Sequence, residues 1–450
     1  MQKSTKRLVV ILVLALVLAA GLGISLLFLS VQRALKIELP PASVKAYQKL
    51  LAELRRSESV AGSETQDPAR FAPFPPDSPD IIAGYARLFE RVKPKVESFE
   101  KNDEDILTKV PAEWTPDEKS KVTEFLAANQ DLIGDIREMA KRGGPVCALD
   151  FSKDYIDVSH LSHLRSCARV LRADAILNGM KGDYSGAVED IIAGMRLGDA
   201  LAQEPLLLSQ LVRISLYETM NNAIQNSFNG ADLSPELTSR LLTHVAQADR
   251  HEATSEALVG ELSMMLGASR DPNRNPFARL TDADAKACYD IISRLIVAAG
   301  LPYHQAAPEL DQIEKRIKEL PKIAVFSRDL LPGVVVRVSL AQARHEAMLD
   351  LIQLGILVEQ YKARTGSCPA TLNAIAPGLG GTLPADPFTG KEYHYRLSDD
   401  GFILYSVGQN CKDDGGKHDL LNGDMVWGGE RQPRTARSSP GIPVVPPPTR

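Results

Sequence analysis

The chain has 450 residues, 44% of them hydrophobic, enough to bury one large core or two. Its formal charge of −5 is small for that length. A chain without a basic surplus excludes bulk nucleic-acid binding, which needs a positive surface.

From Leu8 to Leu29 runs a stretch of 22 uncharged residues, nearly all Leu, Val, Ile, Ala or Gly. As a helix it spans about 33 Å, enough for a hydrocarbon core of about 30 Å. Its insertion is favourable by on the order of 5 kcal/mol. A cleaved secretory signal is the alternative, but its apolar part would be shorter and would end at a small-x-small site. Here the run ends in Leu26-Leu27-Phe28-Leu29, with no lipobox cysteine, which favours a retained anchor. Lys3, Lys6 and Arg7 precede it and place the N-terminus in the cytoplasm; Arg33 and Lys36 follow it and reduce the asymmetry. Everything from about Val31 onward is then extracytoplasmic. The chain reads as a single-pass protein of a bacterial inner (cytoplasmic) membrane, with residues 1–30 as cytoplasmic stub and anchor.

Residues 31–79 form a stalk and linker. Val44, Tyr47, Leu50, Leu51 and Leu54 fall at helical spacing, and residues 58–79 are rich in Pro, Ser, Asp and Glu. Residues 80–330 read as an irregular all-helical domain. Thr115-Pro116-Asp117-Glu118 supplies an N-cap, a first-turn proline and a capping-box glutamate, and its helix should stop at Gly143-Gly144-Pro145. Apolar residues at three- and four-residue spacing predict helices within 161–180, 183–203 and 206–229. Ser234-Pro235-Glu236 starts a helix running to about Gly267, and Thr281 with Asp284 starts another. The segment Ala175–Ala187 resembles a tetratricopeptide-repeat turn, but no partner lies one period of 34 residues away, so a repeat array is disfavoured.

Past Pro332 the pattern changes. One more amphipathic helix covers 338–364 and ends at Gly366. A Gly/Pro-rich loop leads to two strands, Glu392–Leu397 and Phe402–Val407, joined by Ser398-Asp399-Asp400-Gly401, a hairpin signal. Asp424–Trp427 can add a third. Residues 338–428 thus form a small α+β module, and 429–450 a Pro-rich tail expected to be disordered. The fold class is mainly α: an N-terminal transmembrane helix, an irregular all-helical domain, and a module of one long helix plus a short antiparallel sheet.

Standard catalytic signatures are missing. His251-Glu252 and His345-Glu346 each lack the second histidine of a zinc-protease helix and read as solvated helix faces. Gly390-Lys391 lacks the upstream glycine of a phosphate loop, and no Gly-x-Ser-x-Gly elbow occurs. His160, His163 and Cys167 fall at i, i+3 and i+7, with Cys147 upstream. That set suits zinc, a Cys147–Cys167 disulfide in an oxidising compartment, or ordinary packing.

The residues of the C-terminal module carry a resemblance. A helix ending Glu359-Gln360-Tyr361 runs to Thr365-Gly366 and is followed by Pro369. A Leu-Pro-x-Asp-Pro-Phe loop lies at Leu383–Phe388, and Tyr393 and Tyr395 occupy a strand. Ser406-x-Gly408 and an Asp/Gly-rich loop closing on Asp424 complete the series. Residues 345–427 resemble the globular domain of the major pseudopilin of type II secretion systems. The chain departs from that family in having no Phe-Thr-Leu-x-Glu start and in placing a helical domain of about 250 residues before the module. The resemblance therefore implies a fold and a metal site rather than a pilus subunit. The overall plan also resembles a class of bacterial membrane-anchored proteins of no assigned activity. Carried over from the pseudopilin, calcium would sit at Asp413, Asp414 and Asp424, beside Gly415 and Gly416, which let the backbone turn tightly; a plain solvated Asp-Gly turn is the alternative. Cys368 and Cys411 lie in loops of the same module and are a second expected disulfide, since the fold can bring those loops to one end of the sheet; two unpaired thiols, or Cys411 paired with another molecule, are the alternatives.

Two function classes remain. One is a membrane-anchored extracytoplasmic scaffold or assembly protein of the cell envelope, without catalysis. The other is an envelope enzyme with an unrecognised site in the helical domain. The missing motifs favour the first. Its partners would be the lipid bilayer, through residues 8–29, and other envelope proteins.

Overall fold

The computed structural model describes residues 79–428, apart from 102–105, 110–112, 150–155, 229–232, 271–281, 322–324, 399–400 and 420–421. The expected anchor, stalk and tail lie outside the described residues. Among the described residues, no helix is long and apolar enough to cross a membrane.

Helices dominate: α1 Pro79–Glu100, α2 Pro116–Ala128, α3 Gln130–Arg142, α4 His160–Lys181, α5 Tyr184–Asp199 and α6 Leu207–Ser227 come first. They are followed by α7 Pro235–Gln247, α8 Glu252–Arg270, α9 Asp282–Ala299, α10 Tyr303–Glu319 and α11 Val325–Thr365. Local signals act where they stand. Thr115 Oγ1 accepts the Glu118 N–H at 3.2 Å, and Glu118 Oε2 accepts the Thr115 N–H at 2.8 Å. Such a cap contributes about 1 kcal/mol. The turn that looks like a tetratricopeptide repeat joins α4 to α5. Gly182 takes the left-handed φ of 80° there, and Asp183 caps α5 by accepting the Gly186 N–H at 3.0 Å.

Two expected helices are each split in two. The one from Thr115 breaks at Asn129, whose Nδ2 donates to the Phe125 carbonyl at 2.7 Å while its Oδ1 accepts from Lys95 at 2.6 Å. The side chain competes for a carbonyl of the preceding turn, and a residue of α1 fixes it there. The one from Ser234 breaks at Ala248, which is extended, and Asp249 is drawn to the buried Arg213. α11, conversely, is longer than predicted and runs through Pro332.

After α11 a 3-10 segment, Leu372–Leu379, leads to β1 His394–Ser398, β2 Gly401–Ser406 and β3 Met425–Val426, an antiparallel sheet in the order β1-β2-β3. His394 pairs with Tyr405 and Ser398 with Gly401, so the hairpin lies where the Asp-Gly signal puts it. The sheet packs on α11. A Cβ on Gly355 would lie 2.3 Å from the Trp427 ring, so only glycine permits that approach.

One continuous apolar core extends from Tyr85 to Trp427. It joins α1 to α7 with the second half of α11 and the sheet. A second core is built by α8, α9 and α10 with Leu207, Leu331 and Val338. Both cores use α11, so the expected 330/338 boundary is not a break between cores.

Candidate functional site

α5 packs between α3 and α7, and the three line an open groove of about 700 Å³. Helical spacing puts Arg137 and Lys141 of α3, Arg196 of α5, and Arg240 and His244 of α7 along it. Glu138 and Glu189 are the acidic groups on its walls. Arg137 is already committed: it donates to Asp190 Oδ1 at 2.7 Å and to Asp174 Oδ2 at 3.1 Å. Asn178 donates to both carboxylates, at 3.3 and 3.2 Å. Burial pushes the Asp190 carboxyl up, and Asp174 adds to this while Arg137 opposes it. Arg137 is thus a fixed post of the wall. Lys141, Arg196 and Arg240 are exposed and make no ion pair among the described residues. A smaller hollow of about 240 Å³ shares Lys141 and Arg196 and extends the groove toward Asp199 and Gln203.

The His-Glu pairs are not solvated faces. His345 is 1% exposed and Glu346 is buried, because this side of α11 lies against α6 and the α7–α8 turn. His345 stands edge-on to the Tyr217 ring, with centroids 5.0 Å apart. Burial holds its imidazole neutral, helped by the charges of Arg213 and Arg250. His251 and Glu252 are half-buried, and His251 Nε2 lies 3.6 Å from Glu346 Oε1.

In the C-terminal loop the predicted calcium ligands have other partners. Asp413 Oδ1 accepts from the Tyr405 hydroxyl and the Gly415 N–H, both at 2.9 Å. Asp414 Oδ2 accepts from Asn410 at 2.7 Å. The wholly buried Asp424 accepts the Asp414 N–H at 3.3 Å and the Gly416 N–H at 2.7 Å. Asp424 closes the loop through backbone amides, and the three carboxylates do not gather into one metal-ligand cluster.

Neither expected disulfide is formed. Cys147, Cys167, Cys368 and Cys411 are thiols. Cys368 lies near Tyr395 on β1, whereas Cys411, at φ 53°, lies near Tyr303 and Asp386. Cys167 is wholly buried in the α4 core near Tyr85. His163 stacks on Phe89 with ring centroids 4.9 Å apart. The ring and thiol expected to share a helix face with His160 are thus taken up by packing.

Cys147 and His160 do converge, together with a residue that the sequence gives no reason to choose, Glu204. One ligand atom from each lies within 4.8 Å of the other two. Glu204 follows α5 in a turn 44 residues from His160, and only the tertiary fold joins them.

Comparison of the chain with protein families, with curated proteins and with solved structures returns no match.

Proposed function

We propose that the protein is a membrane-anchored scaffold or assembly protein of the cell envelope, and that the α3–α5–α7 groove receives an acidic segment of another envelope protein. The observation that carries this reading is the convergence of Lys141, Arg196 and Arg240, exposed and without ion-pair partners among the described residues, on a groove of about 700 Å³. Such side chains cost little desolvation until a partner arrives, and they attract and orient a negatively charged chain. Arg137, anchored by Asp174 and Asp190, stiffens the wall behind them. The anchor at residues 8–29 would hold this groove outside the cytoplasmic membrane.

The test is fluorescence anisotropy of a labelled oligoglutamate peptide with the full chain in detergent. Binding is expected to weaken as salt rises and to be lost in the triple variant K141E/R196E/R240E. Equal binding by the triple variant, or none by the unaltered chain, overturns the proposal.

A further inference from the structure

α4 opens at His160, beside the turn between α5 and α6 that carries Glu204. His160 Nε2 lies 3.1 Å from each oxygen of the Glu204 carboxylate. The turn is held rigidly: the Glu204 N–H donates to Leu201, and its carbonyl accepts from the Leu206 N–H at 2.8 Å and from Gln210 Nε2 at 3.0 Å. The Ser209 hydroxyl donates to Glu204 Oε2 at 2.5 Å and fixes the carboxylate plane. Cys147, from the segment after α3, completes the group.

The carboxylate is 2% exposed and His160 is 4% exposed. Glu204 has no lysine or arginine partner among the described residues. Its Oε1 is near His160 Nε2 but off the line of a hydrogen bond, and it meets no other donor among the described residues. A carboxylate taken out of water without a fixed cation is costly, and buried acids of this kind are ordinarily paired or bound to metal. Ser209 plays the part that outer-shell donors play around metal-binding carboxylates, setting the orientation of the ligand.

We infer that Cys147, His160 and Glu204 form a site for one zinc-class divalent cation, with a coordination position left open. Thiolate, imidazole and carboxylate together suit zinc, whereas calcium and magnesium prefer oxygen throughout. Bond lengths at tetrahedral zinc put neighbouring ligand atoms about 3.5 Å apart, so closing the cluster takes side-chain shifts on the order of 1 Å. Cys147 and His160 also line a pocket of about 380 Å³, with Phe89, Lys93 and His163 on its walls. Three protein ligands with the fourth position facing a pocket is the arrangement of zinc sites that bind water or a small ligand. The Cys147 thiol is held in its protonated form by burial, with Glu204 and Asp157 adding to the effect. Loading the site breaks the S–H bond, forms a sulfur–metal bond and releases one proton to solvent.

The experiment uses the full chain purified in detergent, stripped with a chelator and titrated with cobalt(II). One cobalt per chain is expected, with the visible bands of tetrahedral cobalt and a near-ultraviolet thiolate-to-cobalt charge-transfer band, both removed by zinc. C147S abolishes the charge-transfer band. H160A and E204Q weaken binding by more than about 100-fold, and S209A by about 10–100-fold, the usual effect of losing an outer-shell partner. C368S/C411S, which removes the two cysteines of the C-terminal loops, leaves the titration unchanged. A wild-type chain without the band overturns the inference, whatever the variants do. So does stoichiometric binding that survives C147S, or that is unmoved by both H160A and E204Q.

Discussion

The Arg250 guanidinium lies 2.8 Å from the Asp350 carboxylate, and the other oxygen of Asp350 accepts the Tyr393 hydroxyl at 2.8 Å. Arg250 belongs to the α7–α8 turn, Asp350 to α11, and Tyr393 lies just before β1. A single buried carboxylate therefore ties the helical body to the C-terminal sheet. Burial pushes Asp350 up to about 6, with Arg250 and Tyr393 opposing it.

Removing that carboxylate leaves a cation without its partner. Asp350→Ala is expected to cost about 3 kcal/mol and Arg250→Ala about 2 kcal/mol, in urea unfolding of the full chain. The double variant should show a coupling of more than about 1 kcal/mol. Strictly additive losses would show that the two side chains act independently.

Glu261 of α8 accepts the Leu207 N–H at 3.1 Å and is otherwise surrounded by the second core. Burial raises its carboxyl from 4.5 to about 8, with the Leu207 bond opposing. A raised folded-state value means that the folded chain holds a proton that the unfolded chain has released. Glu261 thus favours the fold at low pH, and its contribution is lost as pH rises through about 8. Glu261→Gln keeps an acceptor for Leu207 and removes the titration. Its stability relative to wild type should improve by a few kcal/mol between about pH 5 and about pH 8. Thermal melts that shift in parallel across this range would refute the assignment.

The thiols offer a direct reading of the loop geometry. In the native chain Cys411, which is exposed, should react with a maleimide first, and Cys368, half-buried, more slowly. Cys167, buried in the core, should react only after unfolding. Peptide mapping by mass spectrometry without reductant checks this order. A cross-linked Cys368–Cys411 peptide would contradict it.

Topology is tested independently of all these contacts. With Leu8–Leu29 retained as an anchor, an alkaline-phosphatase fusion after residue 450 is expected to be active, and the full-length chain to resist alkaline extraction. Recovery of a shortened soluble species would remove the anchor from the account.

Local chemistry was readable in the sequence, and tertiary chemistry was not. The Thr115 and Ser234 caps and the Ser398–Gly401 turn act within a few residues, and each appears where its pattern predicts. The breaks at Asn129 and Ala248 answer to Lys95 and Arg213, which are far along the chain. The burial of His345 follows from where α11 lands, since polar residues at helical spacing read the same in water as against another helix. Cys147 and His160 stood out as metal-binding residue types. Glu204 did not, because an isolated Glu-Pro carries no pattern and its role depends on convergence in space.

α11 has one further consequence, for the order in which the chain can assemble. At about 60 Å long it supplies side chains to both cores, and the core begun by Tyr85 is completed only by Phe388, Leu404 and Trp427. Most of the chain must therefore be synthesised before α1 finds its last neighbours. Such sequence-distant closure slows folding and leaves apolar helix faces uncovered meanwhile. Truncation anywhere within the sheet should consequently yield an aggregating helical body rather than a soluble shorter protein.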